Sequence, residues 1–553
     1  MILAEVAEGE AVEVVLVGGV AEGAVVGVMG GFDADAAAVA DQAVEFLHGA
    51  DDVGKVFDHV DGTEVIEAAV GERVGEPVEV DEDVGGAGGV EVDADCAGEF
   101  SDAAADVESS QEFRVSGYSY DGRIVKLLSG MILAAALYGQ EPAASSSFLL
   151  KGGTVHTISG PVIENGSILV RDGKIVGVGK KLAAPEGVPV IDVTGKQVYP
   201  GMIDSASSTG IDKDDLTETG LFNPQMNPAK VVNPESDFIP ATRANGVTSV
   251  MEMANGELIA GQISLVHMDG FTVDEMTTAR GAAVHLIFPT IATQPVPIHE
   301  SEDDDEEPTT AVAPAVVPYP EAKHAYDEKM KALREFFDAA RRYRHAKQAK
   351  GGRRQEIDLR YEAMIPVLDG EQPMIVTAVR EREIREAIAF AQQEKIRIIL
   401  ADPYEAYKVM PLIKSHNISV VLGPTYMLPL EWDDAYDQSY TTPSQLYKAG
   451  IKFSIATFSS KGSRNLPYQA AAAVPFGLPH DEAYKAVSLN AAEILGLGKK
   501  LGSIDEGKVA DLIVTDGDPL ETATHVTMEF IDGKPVNLDT RQKKLYEKYL
   551  ARP

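Results

Sequence analysis

Apolar and polar positions change their spacing several times along the 553 residues. Over the first 110 residues the apolar positions form short runs such as Val14-Val15-Leu16-Val17, without a sustained helical period and interrupted by Gly85-Gly86-Ala87-Gly88-Gly89. From 148 to 193 short apolar stretches are punctuated by Asn165-Gly166 and Asp172-Gly173, which are hairpin turn signals, so a small β layer is predicted. So few strands do not close a core alone. A matching pattern returns at 501–514 and 528–531, followed by the turn Asp532-Gly533, which predicts a discontinuous β-sandwich built from 147–199 and 499–537. Between these segments, residues 200–498 alternate strand and helix signals. Strands are predicted at 202–203, 247–253, 284–288, 374–378, 396–401, 418–422 and 453–457, and Ile384, Ala387, Ile388 and Ala391 define one helix face. The α/β class follows, as a (β/α)8 TIM-like barrel with its fourth strand unplaced. Residues 538–553 are left as a tail or helix.

Two segments lie outside this plan. Residues 1–122 carry about 30 acidic residues against Lys55, Arg73 and Arg114, and about 88 of the first 110 are Val, Ala, Gly, Asp or Glu. All five are encoded by codons beginning with G, as when a GC-rich gene is read on the wrong strand. The expectation is an acidic low-complexity stretch that is not a folded domain, with the natural start near Arg123. Residues 123–146 then open with Arg123-Ile124-Val125-Lys126 and an apolar run of roughly 13 residues, too short to span a bilayer and suited to a secretory signal, which implies export to a periplasmic or extracellular space.

Most of the net charge of −39 sits in that leading stretch, leaving about −12 for the rest. This balance argues against a nucleic-acid groove. The lone Cys96 excludes an internal disulfide framework and a cysteine-based metal cluster. An excursion at about 296–322 joins the run Glu300-Ser301-Glu302-Asp303-Asp304-Asp305-Glu306-Glu307 to a Pro-rich stretch. It lacks the spaced ligands and turn glycine of a calcium loop, so a solvated loop is expected. An amphipathic helix is predicted over roughly 321–350, with its basic residues toward the C-terminal end.

The stretch Pro200-Gly201-Met202-Ile203-Asp204-Ser205-Ala206-Ser207-Ser208 resembles the first barrel strand of the amidohydrolase superfamily, and Gly502-Ser503-Ile504-Asp505-Glu506-Gly507-Lys508-Val509-Ala510-Asp511-Leu512 resembles its C-terminal signature. Gly462-Ser463-Arg464-Asn465-Leu466-Pro467 and Ser488-Leu489-Asn490-Ala491-Ala492-Glu493 look like the last loop and closing helices of its imidazolonepropionase-like subgroup. The resemblance implies one or two divalent ions, zinc or similar, held at the C-terminal ends of the strands to activate a water. It places that ligand set at Ala206, Ser208, Thr377, Asp402 and Phe458. Only Asp402 among these is a strong donor, whereas a catalytic zinc takes about three protein ligands. Asp204 adds a second carboxylate next to the missing pair, so Asp402 and Asp204 are the candidate catalytic groups, and Ala206, Ser208, Thr377 and Phe458 are expected to line the pocket.

No metal site and no cofactor are expected on this reading. The implied function is a non-metal binding protein or pseudoenzyme with an amidohydrolase fold; the alternative is an active hydrolase of cyclic-amide-type C–N bonds, using a rearranged or metal-free site around Asp402. The expected partner is a small molecule of unidentified class. No nucleic acid and no stable membrane span are expected, and a homo-oligomer is left open. His267 and His285 lie in apolar strand contexts, which predicts satisfied core histidines.

Overall fold

The computed structural model divides the chain into two units, Met1–Ala143 and Ala144–Pro553. Residues 146–211, 220–293, 316–349 and 356–552 of the second unit are described; in the first unit the description is limited to backbone strands. These are Ile2–Val6, Ala11–Val20, Gly23–Asp33 and Val90–Val92, joined in an antiparallel sheet, and the separate pair Glu112–Val115 and Tyr118–Asp121. The signal-like segment and the acidic run 300–307 lie outside the described residues.

In the second unit the segments from the two ends of the chain meet. Gln197–Pro200 pairs antiparallel with Leu512–Thr515, so that strands 148–200 and 512–535 share one hydrogen-bonded sheet of eight. Both ends contribute strands, but the ladder joins them in a single sheet, and the sandwich itself is not confirmed. Its buried face collects Phe148, Leu150, Ile168, Val170, Val198, Leu512, Val514 and Phe530. The hairpin at Asp172-Gly173 and the turn at Asp532-Gly533 form with left-handed residues, at φ of 50° and 74° and of 51° and 70°. Asn165 is also left-handed, yet it lies within the strand Ile163–Arg171. The expected turn is a bulge there, with a register shift opposite Gly153, because a left-handed residue can be absorbed by an extra residue in the ladder.

The body is a second sheet of eight strands in chain order: Met202–Ser207, Val247–Met253, Ile259–His267, Thr277–Ile287, Met374–Thr377, Ile398–Ala401, Ser419–Leu422 and Phe453–Ile455. Seven are parallel, and Ile259–His267 runs against both its neighbours. This corrects the all-parallel (β/α)8 expectation, and the strand absent from it is the third in order rather than the fourth, which is Thr277–Ile287. Only five residues separate Met253 from Ile259, and a parallel return needs a crossover of a dozen or more, so a hairpin connection through 254–258 is the one that fits. Helices Tyr319–Gln348, Leu359–Leu368, Glu381–Glu394, Ala406–Ser415 and Gln438–Ala449 cover the later strands, and Gly450 ends the last of these in the left-handed conformation at φ 68°.

Strand residues alternate between two cores. Met202, Val250, Leu286, Val376 and Leu400 pack outward with Phe337, Ile384 and Ile388 of the helices. Ile203, Met251, Ile263, Ile375, Ile399 and Val421 form a separate interior cluster. The Pro200-Gly201 turn feeds the first strand so closely past the second that a Cβ on Gly201 would stand 2.2 Å from Thr248 Oγ1. Gly201→Ala is accordingly expected to cost about 1–3 kcal/mol of unfolding free energy by overpacking, measured by urea titration. A loss within error would mean that the turn has room to move.

Candidate functional site

The end strands of the barrel sheet, Met202–Ser207 and Phe453–Ile455, are joined across their seam by side chains. Ser205 and Ser454 hydroxyls share a hydrogen bond of 2.8 Å, and the backbone N–H of Phe458 donates to Ala206 O at 2.9 Å. Asp204 is the centre of this closure. It is fully buried, and it accepts from Thr457 Oγ1 at 2.5 Å, Ser463 Oγ at 2.8 Å, Thr457 N–H at 3.1 Å and Ala206 N–H at 3.3 Å. Around it Ser207 bonds Thr209 at 2.9 Å and Ser463 at 2.8 Å. Burial pushes the Asp204 carboxyl up to about 6, and the four donors hold it below the value burial alone would give.

One residue of this region escapes sequence reasoning. Glu252, on the second strand opposite Ser207, is completely buried, and neither carboxylate oxygen has a hydrogen-bond partner. Burial, and after it the negative charge of Asp204, raises its pKa well above the ordinary glutamate range. The only hint in the sequence is an acid within the apolar strand Val247-Thr248-Ser249-Val250-Met251-Glu252-Met253, which periodicity leaves ambiguous between faces.

The positions that the resemblance assigns to metal ligands hold a different chemistry. Ala206 is fully buried in the interior cluster, and Phe458 packs against the same cluster with a left-handed backbone at φ 51°. Ser208 is half-buried, and its carbonyl accepts from the N–H of Ile211 at 3.1 Å. The Thr377 hydroxyl is engaged with His285 Nε2 at 2.9 Å, while His285 Nδ1 lies 2.8 Å from Ala254 O. A carbonyl only accepts, so Nδ1 carries the proton and Nε2 accepts from Thr377. Burial lowers the pKa of His285 to about 4, which keeps the ring neutral. Asp402 is half-buried and left-handed at φ 49°; its Oδ1 lies where a Cβ on Gly423 would stand, at 2.2 Å.

These residues do not fit the divalent ions that the fold implies. A methyl, a phenyl ring and a threonine already committed to a neutral imidazole offer no anionic donor, and among the described residues no group of three His, Cys, Asp or Glu stands together. Asp204 faces the seam hydroxyls. His267 is paired with Asp511 at 3.2 Å, at the opposite end of its strand from the hairpin. His285 is thus satisfied in the core, as its context predicts, whereas His267 Nε2 is buried beside the Asp511 carboxylate without hydrogen-bond geometry.

Residues 403–538 match the amidohydrolase family. Among curated relatives, the dihydroorotase of Citrifermentans bemidjiense is 45% identical over 58 residues, 10% of this chain and 14% of that protein. The imidazolonepropionase of Thermoplasma volcanium is 33% identical over 120 residues, 20% of this chain and 30% of that one. The chain therefore matches less than a third of the length of either relative. An amidohydrolase from Thermotoga maritima MSB8 superposes with a TM-score of 0.59 at 25% identity, covering 70% of this chain and 99% of that structure. Residues 403–538 thus match the amidohydrolase family, and the barrel that contains most of that stretch is similar in fold to the Thermotoga maritima amidohydrolase.

Proposed function

We propose that this chain is an imidazolonepropionase-like amidohydrolase relative that has given up divalent-metal hydrolysis and binds a small molecule at the C-terminal ends of its barrel strands. The observation that carries the reading is Phe458, whose ring packs on the interior cluster of Ala206 at positions where the superfamily resemblance puts ligands. A phenyl ring excludes both ion and water from that volume, and the neutral pair His285–Thr377 adds a polar handle to an apolar wall. Asp402 lines the same strand ends as the one anionic group among the former ligand positions.

The test is elemental analysis of protein purified without chelator. Zinc, iron and manganese together are expected below about a tenth of an equivalent per chain, against the one or two that a catalytic site of this class retains. A full equivalent that is lost in Asp402→Ala would overturn the reading and support hydrolysis of cyclic amides around a rearranged ion. Turnover of cyclic amides in the metal-free protein, abolished by the same substitution, would support the metal-free enzyme instead.

A further inference from the structure

Two apolar surfaces of opposite charge stand uncovered on this chain. The first is the helix Arg541–Leu550, which buries none of its residues. At 100° per residue, Leu545, Tyr546, Tyr549 and Leu550 fall within an arc of about 140°, while Lys543, Lys544 and Lys548 occupy the remainder with Glu547. Tyr546 and Leu550 are 66% and 69% exposed. The helix is not a loose end: Thr540 caps it by accepting from the N–H of Lys543, and Arg541 is paired with Asp237 at 2.6 Å.

The second surface is the loop 423–437, which follows the seventh barrel strand. Its base is fixed, since Gln469 Oε1 accepts from the N–H of Thr425 at 2.7 Å, Arg380 pairs with Glu431, and Tyr407 donates to Asp434. Between these anchors Leu428, Trp432 and Tyr436 point into solvent at 85%, 95% and 79% exposure, interleaved with Asp433 and Asp437. An anchored loop that holds three large apolar side chains outward beside acids is the complement of a basic helix with an apolar stripe.

We infer that the helix 541–550 of one copy docks on the loop 423–437 of a second copy, and that two such contacts close a symmetric dimer. Size selects the closed form. One helix on one loop removes on the order of 900 Å² from water, the size of a weak transient contact, whereas the reciprocal pair removes on the order of 1,800 Å², the area of a specific interface. Closure also leaves neither surface free to propagate into a fibre. An anionic membrane surface is disfavoured because it would leave the acidic aromatic loop uncovered.

Trp432 is the only tryptophan in the chain, so its emission reports the loop directly. Sedimentation velocity of the full chain over a micromolar concentration series is expected to show a monomer–dimer equilibrium. The Trp432 emission should shift to shorter wavelength in step with dimer formation and return as salt is raised. Tyr546→Glu with Leu550→Glu should weaken the dimer by at least roughly tenfold and leave the Trp432 emission of the monomer unchanged. Trp432→Ala should weaken it similarly, and both variants alter exposed side chains, so a far-UV spectrum matching the parent is expected. A monomer at every concentration overturns the inference. So does a dimer that survives both variants, or a monomer that sediments with phosphatidylserine vesicles through the helix.

Discussion

Replacing Asp204 by alanine is expected to cost about 3–5 kcal/mol of unfolding free energy. The carboxylate satisfies two hydroxyls and two backbone N–H groups that are buried with it, and alanine would remove the acceptor that all four share in a buried seam. Asp204→Asn separates the hydrogen bonding from the charge. Its amide oxygen keeps the two N–H donors, and the hydroxyls of Thr457 and Ser463 can rotate to accept from the amide nitrogen, so a loss of about 1–2 kcal/mol is expected. Urea unfolding followed by circular dichroism reads both. Equal losses for alanine and asparagine would show that charge rather than donor satisfaction holds the seam. A loss under about 1 kcal/mol for alanine would show that the seam closes by packing alone.

Stability is expected to rise as the pH falls from 8 toward about 5. Asp204, Glu252 and Glu529 are fully buried carboxyls whose pKa values are raised by burial, that of Asp204 to about 6. A raised folded pKa gives stability that is complete below the unfolded value near 4 and is lost as the pH climbs through the folded value. Each such group contributes about 1.4 kcal/mol per pH unit across its window, so Asp204 alone changes the balance by about 3 kcal/mol between pH 4 and 6. His285 acts in the opposite sense. Its folded value of about 4 lies below the free value, so its share is present above pH 6.5 and is lost on acidification. Three carboxyls outweigh one imidazole. Calorimetry should therefore place the highest Tm in mildly acidic buffer, and Glu252→Gln should raise the Tm at pH 8 and flatten the pH dependence. A Tm that climbs steadily from pH 5 to 8 would mean that these carboxyls are hydrated in solution.

Much of the barrel is legible in the chain because local rules dictate it. The apolar face Ile384, Ala387, Ile388 and Ala391 becomes the buried face of Glu381–Glu394, and Asp532-Gly533 makes the turn that its left-handed preference requires. The long helix predicted over 321–350 spans Tyr319–Gln348. Asn165-Gly166 shows the boundary of this kind of reasoning. The dipeptide fixes a left-handed backbone, but whether that residue ends a strand or bulges within it depends on what the neighbouring strand presents, here Gly153. The antiparallel Ile259–His267 escapes for a related reason: Gln262, Ser264 and His267 interrupt its apolar residues, and a strand signal of this kind carries no direction.

The candidate site divides in the same way. Residue types are legible by themselves: at positions where the resemblance places metal donors, Ala206, Thr377 and Phe458 present a methyl, a hydroxyl and a phenyl group. Roles for carboxylates are a different matter, because burial and partners assign them. Asp204 reads in the sequence as a candidate acid; the tertiary structure turns it toward three donors on a segment about 250 residues away, besides the nearby N–H of Ala206, and makes it the clasp of the barrel seam. Glu252 reads as nothing in particular, and becomes a buried, unpartnered acid only when the first two strands are laid side by side. Sequence fixes donor chemistry residue by residue, whereas solvation and charge coupling arise from groups that only folding brings together.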